Sequence, residues 1–120
     1  ILSLLYPGRD WKDKKYNEDH IYPQNEFKIK NLRAKGYDDA TIEKYQACYN
    51  SILNLELLDD SENKSKNAKP FDSWLKDRDA NFKERHHIPE MNDYSLDYFL
   101  DFIKKRKALL TKQIKEFILQ

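Results

Sequence analysis

Only two stretches of this chain read as β-strands, and residues 24–52 lie between them. The first covers 18–22, and Pro23 ends it because proline has no N–H to give to a ladder. In the second, Leu53, Leu55 and Leu57 alternate with Asn54 and Glu56, the period of a strand with one buried face. Any sheet is therefore a two-stranded pair, and the remainder is helical. The expected fold is α+β, mostly helical, around an antiparallel hairpin of residues 18–23 and 53–58.

The helices follow from apolar spacing and first-turn acids. Asp38 and Asp39 stand ahead of Ile42, Tyr45, Ala47 and Tyr49, which predicts an inserted helix from about 38 to 50. Ser61 or Asp60 caps a short helix at 62–68, with Glu62 in its first turn. Phe71, Trp74 and Leu75 suggest another after Pro70, and residues 79–87 add a turn or two. Ser95 caps a long C-terminal helix with Leu96, Phe99, Leu100, Ile103, Leu110, Ile114, Phe117 and Ile118 on one stripe. Residues 9–17 are polar and without period, as in a loop leading into the first strand.

At 120 residues the chain has the size of one domain, 1–120. A 13% aromatic content argues against disorder. The net charge of +1 demands no polyanion, although residues 1–60 carry a net of −2 and residues 61–120 a net of +3. Much of that tilt comes from Lys104, Lys105, Arg106 and Lys107, which read as a solvated helix face. Cys48 is the sole cysteine, so an internal disulfide and a CxxC zinc framework are excluded and a reducing, cytoplasmic compartment is expected. No apolar run reaches the length of a membrane span, and no signal peptide is visible. Residues 1–6 read as the last turns of an amphipathic helix stopped at Pro7-Gly8. The chain is accordingly expected to be the C-terminal piece of a longer protein.

Asp19-His20 at the end of the first strand is the pair with chemical content. Phosphodiester cleavage needs a deprotonated water, charge neutralisation on the phosphate and help for the leaving oxygen. A neutral imidazole near its reference pKa of about 6.5 can take a proton from water, and His20 suits that role. A hard cation such as Mg²⁺ or Mn²⁺ keeps several waters and needs few oxygen ligands from the protein. Asp19 and Asn63 supply a carboxylate and an amide oxygen. Asn63 is expected at a helix start, which favours a phosphate. Lys66 lies three residues on, on the same helical face, within reach of a phosphate oxygen. One tension remains: adjacent strand residues point to opposite faces, so Asp19 and His20 share one ion only if the strand twists or breaks there.

Asp19-His20-Ile21, Pro23-Gln24, then Asn54, Asn63 and Lys66 resemble the HNH, or ββα-metal, domain of RNA-guided CRISPR nucleases. Residues 4–7 (Leu-Leu-Tyr-Pro), Asn54-Leu55, Leu57-Leu58, Ser65-Lys66, Trp74-Leu75 and Ile88-Pro89 extend the likeness over nearly the whole chain. That wider frame resembles the C-terminal domain of GmrSD-like bacterial proteins. The resemblance implies a ββα-metal core, with a short helix crossing the hairpin. It implies general-base His20, metal ligands Asp19 and Asn63, and Asn54 ordering the loop between strand and helix. It also implies a DNA substrate, phage restriction, a bacterial cytoplasmic setting and a ParB-like N-terminal nucleotide-binding domain in the same protein. The 43 residues from His20 to Asn63 depart from compact HNH domains.

Other residues read as structure. His86 and His87 are adjacent, do not share a helical face and lack a partner at metal spacing. Cys48 reads as a small core residue, and Trp11 and Trp74 as packing aromatics. A metal-dependent DNA endonuclease domain is the leading expectation. A non-catalytic nucleic-acid-binding or protein-interaction module that keeps the fold is the alternative.

Overall fold

The computed structural model describes residues 16–67 and 69–119. The expected N-terminal helix turns, Trp11 and most of the 9–17 loop lie outside the described residues; Tyr16 and Asn17 begin the first strand. In chain order the elements are β1 (Tyr16–His20), α1 (Ile29–Ala34), α2 (Asp39–Cys48), β2 (Leu55–Asp59) and α3 (Asp60–Lys66). They continue with α4 (Phe71–Lys76), α5 (Phe82–Arg85) and α6 (Phe99–Leu119). Short 3₁₀ turns at Gln24–Phe27, Ile52–Asn54 and Leu96–Tyr98 precede α1, β2 and α6.

The two strands pair antiparallel, with Asn17 opposite Leu58, Asp19 opposite Glu56 and His20 opposite Leu55. The ladder stops earlier than Pro23 requires. One more backbone bond joins Ile21 N to Asn54 O at 2.8 Å. The side chain of Asn54 then takes over both polar groups of Tyr22. Ile21 and Tyr22 leave the sheet and enter the core, at 0% and 1% exposure. The Tyr22 ring lies 5.0–5.2 Å from those of Phe71, Phe99 and Phe102.

β2 overturns the expectation of one buried face. Glu56, Leu57 and Leu58 are all buried. Leu57 packs with Leu110 of α6, while the neighbouring Glu56 lies near Lys66 of α3 and His86. Elements cover both sides of this short strand, so alternation in the sequence does not translate into alternating exposure.

β2 runs into α3 without a loop. The cap is Asp59, not Ser61 or Asp60. Its carboxylate accepts from Glu62 N at 2.8 Å, and Glu62 Oε1 accepts from Asp59 N at 3.4 Å. This reciprocal capping box fixes the helix start one to two residues earlier than expected. Asn63 therefore lies a full turn into the helix rather than at its opening.

α2 is capped by Asp38, which accepts from Thr41 N at 2.8 Å, and α4 and α5 fall where expected. The 3₁₀ turn at 24–27 and α1 were not foreseen. α6 begins after Ser95 has made no side-chain cap, with a 3₁₀ turn in between. Phe99, Ile103 and Leu110 face inward as the stripe predicts, but Phe102 and Arg106 are buried as well, and Ile118 is 73% exposed. Arg106 corrects the solvated-face reading of the 104–107 run. Its guanidinium donates to the carbonyls of Ile52, Leu53, Leu55, His86 and His87 at 2.7–3.3 Å. It thereby ties α6 to the approach of β2 and the exit of α5. Among the described residues, no helix is long and apolar enough to cross a membrane.

Candidate active site

His20 closes β1, and the inserted helix supplies its partners. Its Nε2 lies 2.8 Å from Asn50 Oδ1, just past α2. Its ring stacks on Tyr49 with centroids 6.2 Å apart, and Tyr49 stacks on Phe27 at 5.2 Å and 13°. The imidazole is half-buried and held from two directions. With Asn50 Oδ1 as the acceptor, Nε2 is the donor, and a neutral ring then has its lone pair on Nδ1.

Asn54 makes that arrangement rigid. It is fully buried. Its Oδ1 accepts from Tyr22 N at 2.8 Å, and its Nδ2 donates to Tyr22 O at 3.1 Å and Tyr49 O at 2.9 Å. One side chain thus clamps the chain just after His20 to the chain just before Asn50. The Asn54 side chain is closed to solvent and contacts these backbone groups.

Asp19 meets a different neighbourhood. The ladder runs through both Asp19 and His20, so the strand does not break to bring their side chains together. Asp19 Oδ2 lies 2.7 Å from Lys66 Nζ, with the Asp19 side chain 21% exposed and that of Lys66 2% exposed. Lys66 Nζ also donates to the carbonyl of His20 at 2.6 Å. Lys66 was expected to reach a phosphate; its ammonium instead points inward. The two acceptors on β1, the Asp19 carboxylate and the His20 carbonyl, account for the difference.

Glu56 and Asn50 are the residues that sequence reasoning missed. Glu56 is fully buried opposite Asp19. Its Oε2 is 4.0 Å from Lys66 Nζ and its Oε1 is 3.7 Å from His86 Nδ1. Burial pushes its carboxyl up to about 8, with Lys66 pulling it down and Asp19 pushing it up further. In a leucine alternation Glu56 looks solvent-facing, and only its cross-strand place against Asp19 could have marked it. Asn50 carries no sequence signal at all.

Asn63 is half-buried on α3, three residues before Lys66. Its amide and the partly exposed Asp19 carboxylate each carry a hard oxygen donor of the kind a cation such as Mg²⁺ prefers. Among the described residues, no group of three or more His, Cys, Asp or Glu has the geometry of a metal site. His86 is buried against Phe82, with ring centroids 4.4 Å apart. Trp74 is a core residue, and Cys48 packs half-buried against the same core.

No curated protein matches the chain. A family model described as the C-terminal domain of GmrSD restriction endonucleases matches residues 3–113.

Proposed function

The chain belongs to the GmrSD restriction endonuclease C-terminal domain family, and on that premise we propose that it is an HNH-type, metal-dependent DNA endonuclease domain. Its setting in this reading is the bacterial cytoplasm, in phage restriction, beside a ParB-like nucleotide-binding domain of the same protein. His20 is the general base. The observation that carries this role is the 2.8 Å contact of His20 Nε2 with Asn50 Oδ1. In this reading Nε2 donates to Asn50, Nδ1 is the proton acceptor, and the contact holds the half-buried ring in one orientation at the strand end. A base held in one orientation loses little entropy in reaching its water.

Asp19 and Asn63 are the candidate ligands for Mg²⁺ or Mn²⁺. When bound, the ion supplies charge neutralisation at the phosphate and stabilises the leaving oxygen. Asn54 positions His20 by holding the segments on either side of the His20–Asn50 contact. Lys66 acts on Asp19 and the His20 carbonyl rather than on phosphate.

The test is cleavage of plasmid and phage DNA by the full-length protein under matched Mg²⁺. His20→Ala should lower the rate by about 10²–10⁴-fold, the usual worth of general-base help, with DNA binding and thermal stability nearly unchanged. Wild-type cleavage rates in His20→Ala would remove His20 from the base role. If wild type cleaves neither DNA nor RNA at any Mg²⁺ or Mn²⁺ concentration while still binding nucleic acid, the domain is a binding module. The inward-turned Lys66 is the feature that favours that second reading.

A further inference from the structure

A buried ammonium is costly unless it is paired and hydrogen-bonded. Lys66, at the last turn of α3, is 2% exposed. Because β2 runs directly into α3, the helix returns along the hairpin and delivers this side chain to the end of β1. There it meets Asp19 Oδ2 at 2.7 Å and the carbonyl of His20 at 2.6 Å, with Glu56 Oε2 farther off at 4.0 Å. A carboxylate at ion-pair distance and a carbonyl that accepts a hydrogen bond are the kind of oxygen donors a metal ion would seek.

We propose that the Lys66 ammonium is the resident counter-cation of Asp19, and that a divalent ion binds Asp19 in competition with it. This rests on the metal role given to Asp19 above. The physical reason is electrostatic. A divalent ion held by the Asp19 carboxylate would lie close to the ammonium, itself 2.7 Å from Asp19 Oδ2, in a weakly screened site. Lys66 must then either turn away or weaken the ion's hold. The apo domain keeps its strand end in shape without metal, and metal loading is coupled to release of the His20 carbonyl. Lys66 is therefore a positioning residue whose charge sets metal affinity.

The test is Mn²⁺ affinity, measured by calorimetry on the full chain. Lys66→Met alone also removes the charge that faces Glu56, so the informative comparison is Glu56→Gln against Glu56→Gln/Lys66→Met. The double variant should bind Mn²⁺ at least tenfold more tightly than the single one. Equal or weaker binding, with the fold intact by circular dichroism, overturns the competition. Should the double variant fail to fold, the wild-type protein decides. Nuclear magnetic resonance of the buried Lys66 ammonium protons should show them shifted or lost at saturating Mg²⁺, and unchanged signals overturn the proposal. Asp19→Ala separates the two levels. If it binds Mn²⁺ as tightly as wild type, the metal role of Asp19 falls and the competition falls with it. If it loses binding while the Lys66 comparison shows no tightening, only the competition falls.

Discussion

Asn54 and Asn50 both touch the His20 neighbourhood, yet their removal should have opposite signatures. Asn54 is buried, and truncation leaves Tyr22 N, Tyr22 O and Tyr49 O without their partner. At about 1–3 kcal/mol for each orphaned buried group, Asn54→Ala should cost on the order of 3 kcal/mol or more in urea unfolding. Asn50 is exposed, so Asn50→Ala should leave the unfolding midpoint nearly unchanged and lower only cleavage, by freeing the His20 ring. Equal stability losses in the two variants would show that the clamp is not Asn54. Asn54 is legible in the sequence because it stands immediately before a strand in a recognisable pattern. Asn50 is not, because a polar residue at a helix end is commonplace and only the packing of α2 beside β1 gives it a partner.

At the scale of elements, α2 lies in the insertion that separates the two strands, and the residues that follow it are Tyr49 and Asn50. Its start depends on Asp38, whose carboxyl is held below the usual carboxylate range by hydrogen bonds from Thr41. A lowered pKa means the cap's contribution is present above the unfolded carboxylate pKa of about 3.9 and is lost as pH falls through the lower folded value. Asp38→Asn keeps an acceptor but cannot titrate. The urea midpoint of wild type should exceed that of Asp38→Asn at pH 6, and the gap should close in strong acid. A gap that persists unchanged to the lowest pH would mean the charge is irrelevant to the cap. The presence of α2 was legible from its first-turn acids and apolar spacing. The start of α3 is misplaced in the sequence reading, which takes Ser61 or Asp60 as the cap, because only the reciprocal bonds of Asp59 and Glu62 mark Asp59.

For the molecule as a whole, Arg106 is the tie between its parts. It joins α6 to the turn before β2 and to the residues after α5 through five carbonyls. Arg106→Met retains much of the volume but leaves those carbonyls short of a donor, and it should cost about 3–5 kcal/mol in urea unfolding. Lys105→Met, on the exposed side of the same helix, should change little, and equal losses would return Arg106 to the solvated face. The sequence by itself determined what depends on local order: two short strands, helices at 3.6-residue spacing, the Asp19-His20 pair and the spacing to Asn54 and Asn63. Only the tertiary structure decided where the charges of Glu56, Lys66 and Arg106 reside. A polar side chain in a strand or helix pattern reads as solvent-facing, and whether it is buried depends on what a distant segment packs across it. In this protein α3, α6 and the chain around His86 do that packing. They place two cations and a carboxylate inside, each facing groups far away in sequence, where no local pattern records them.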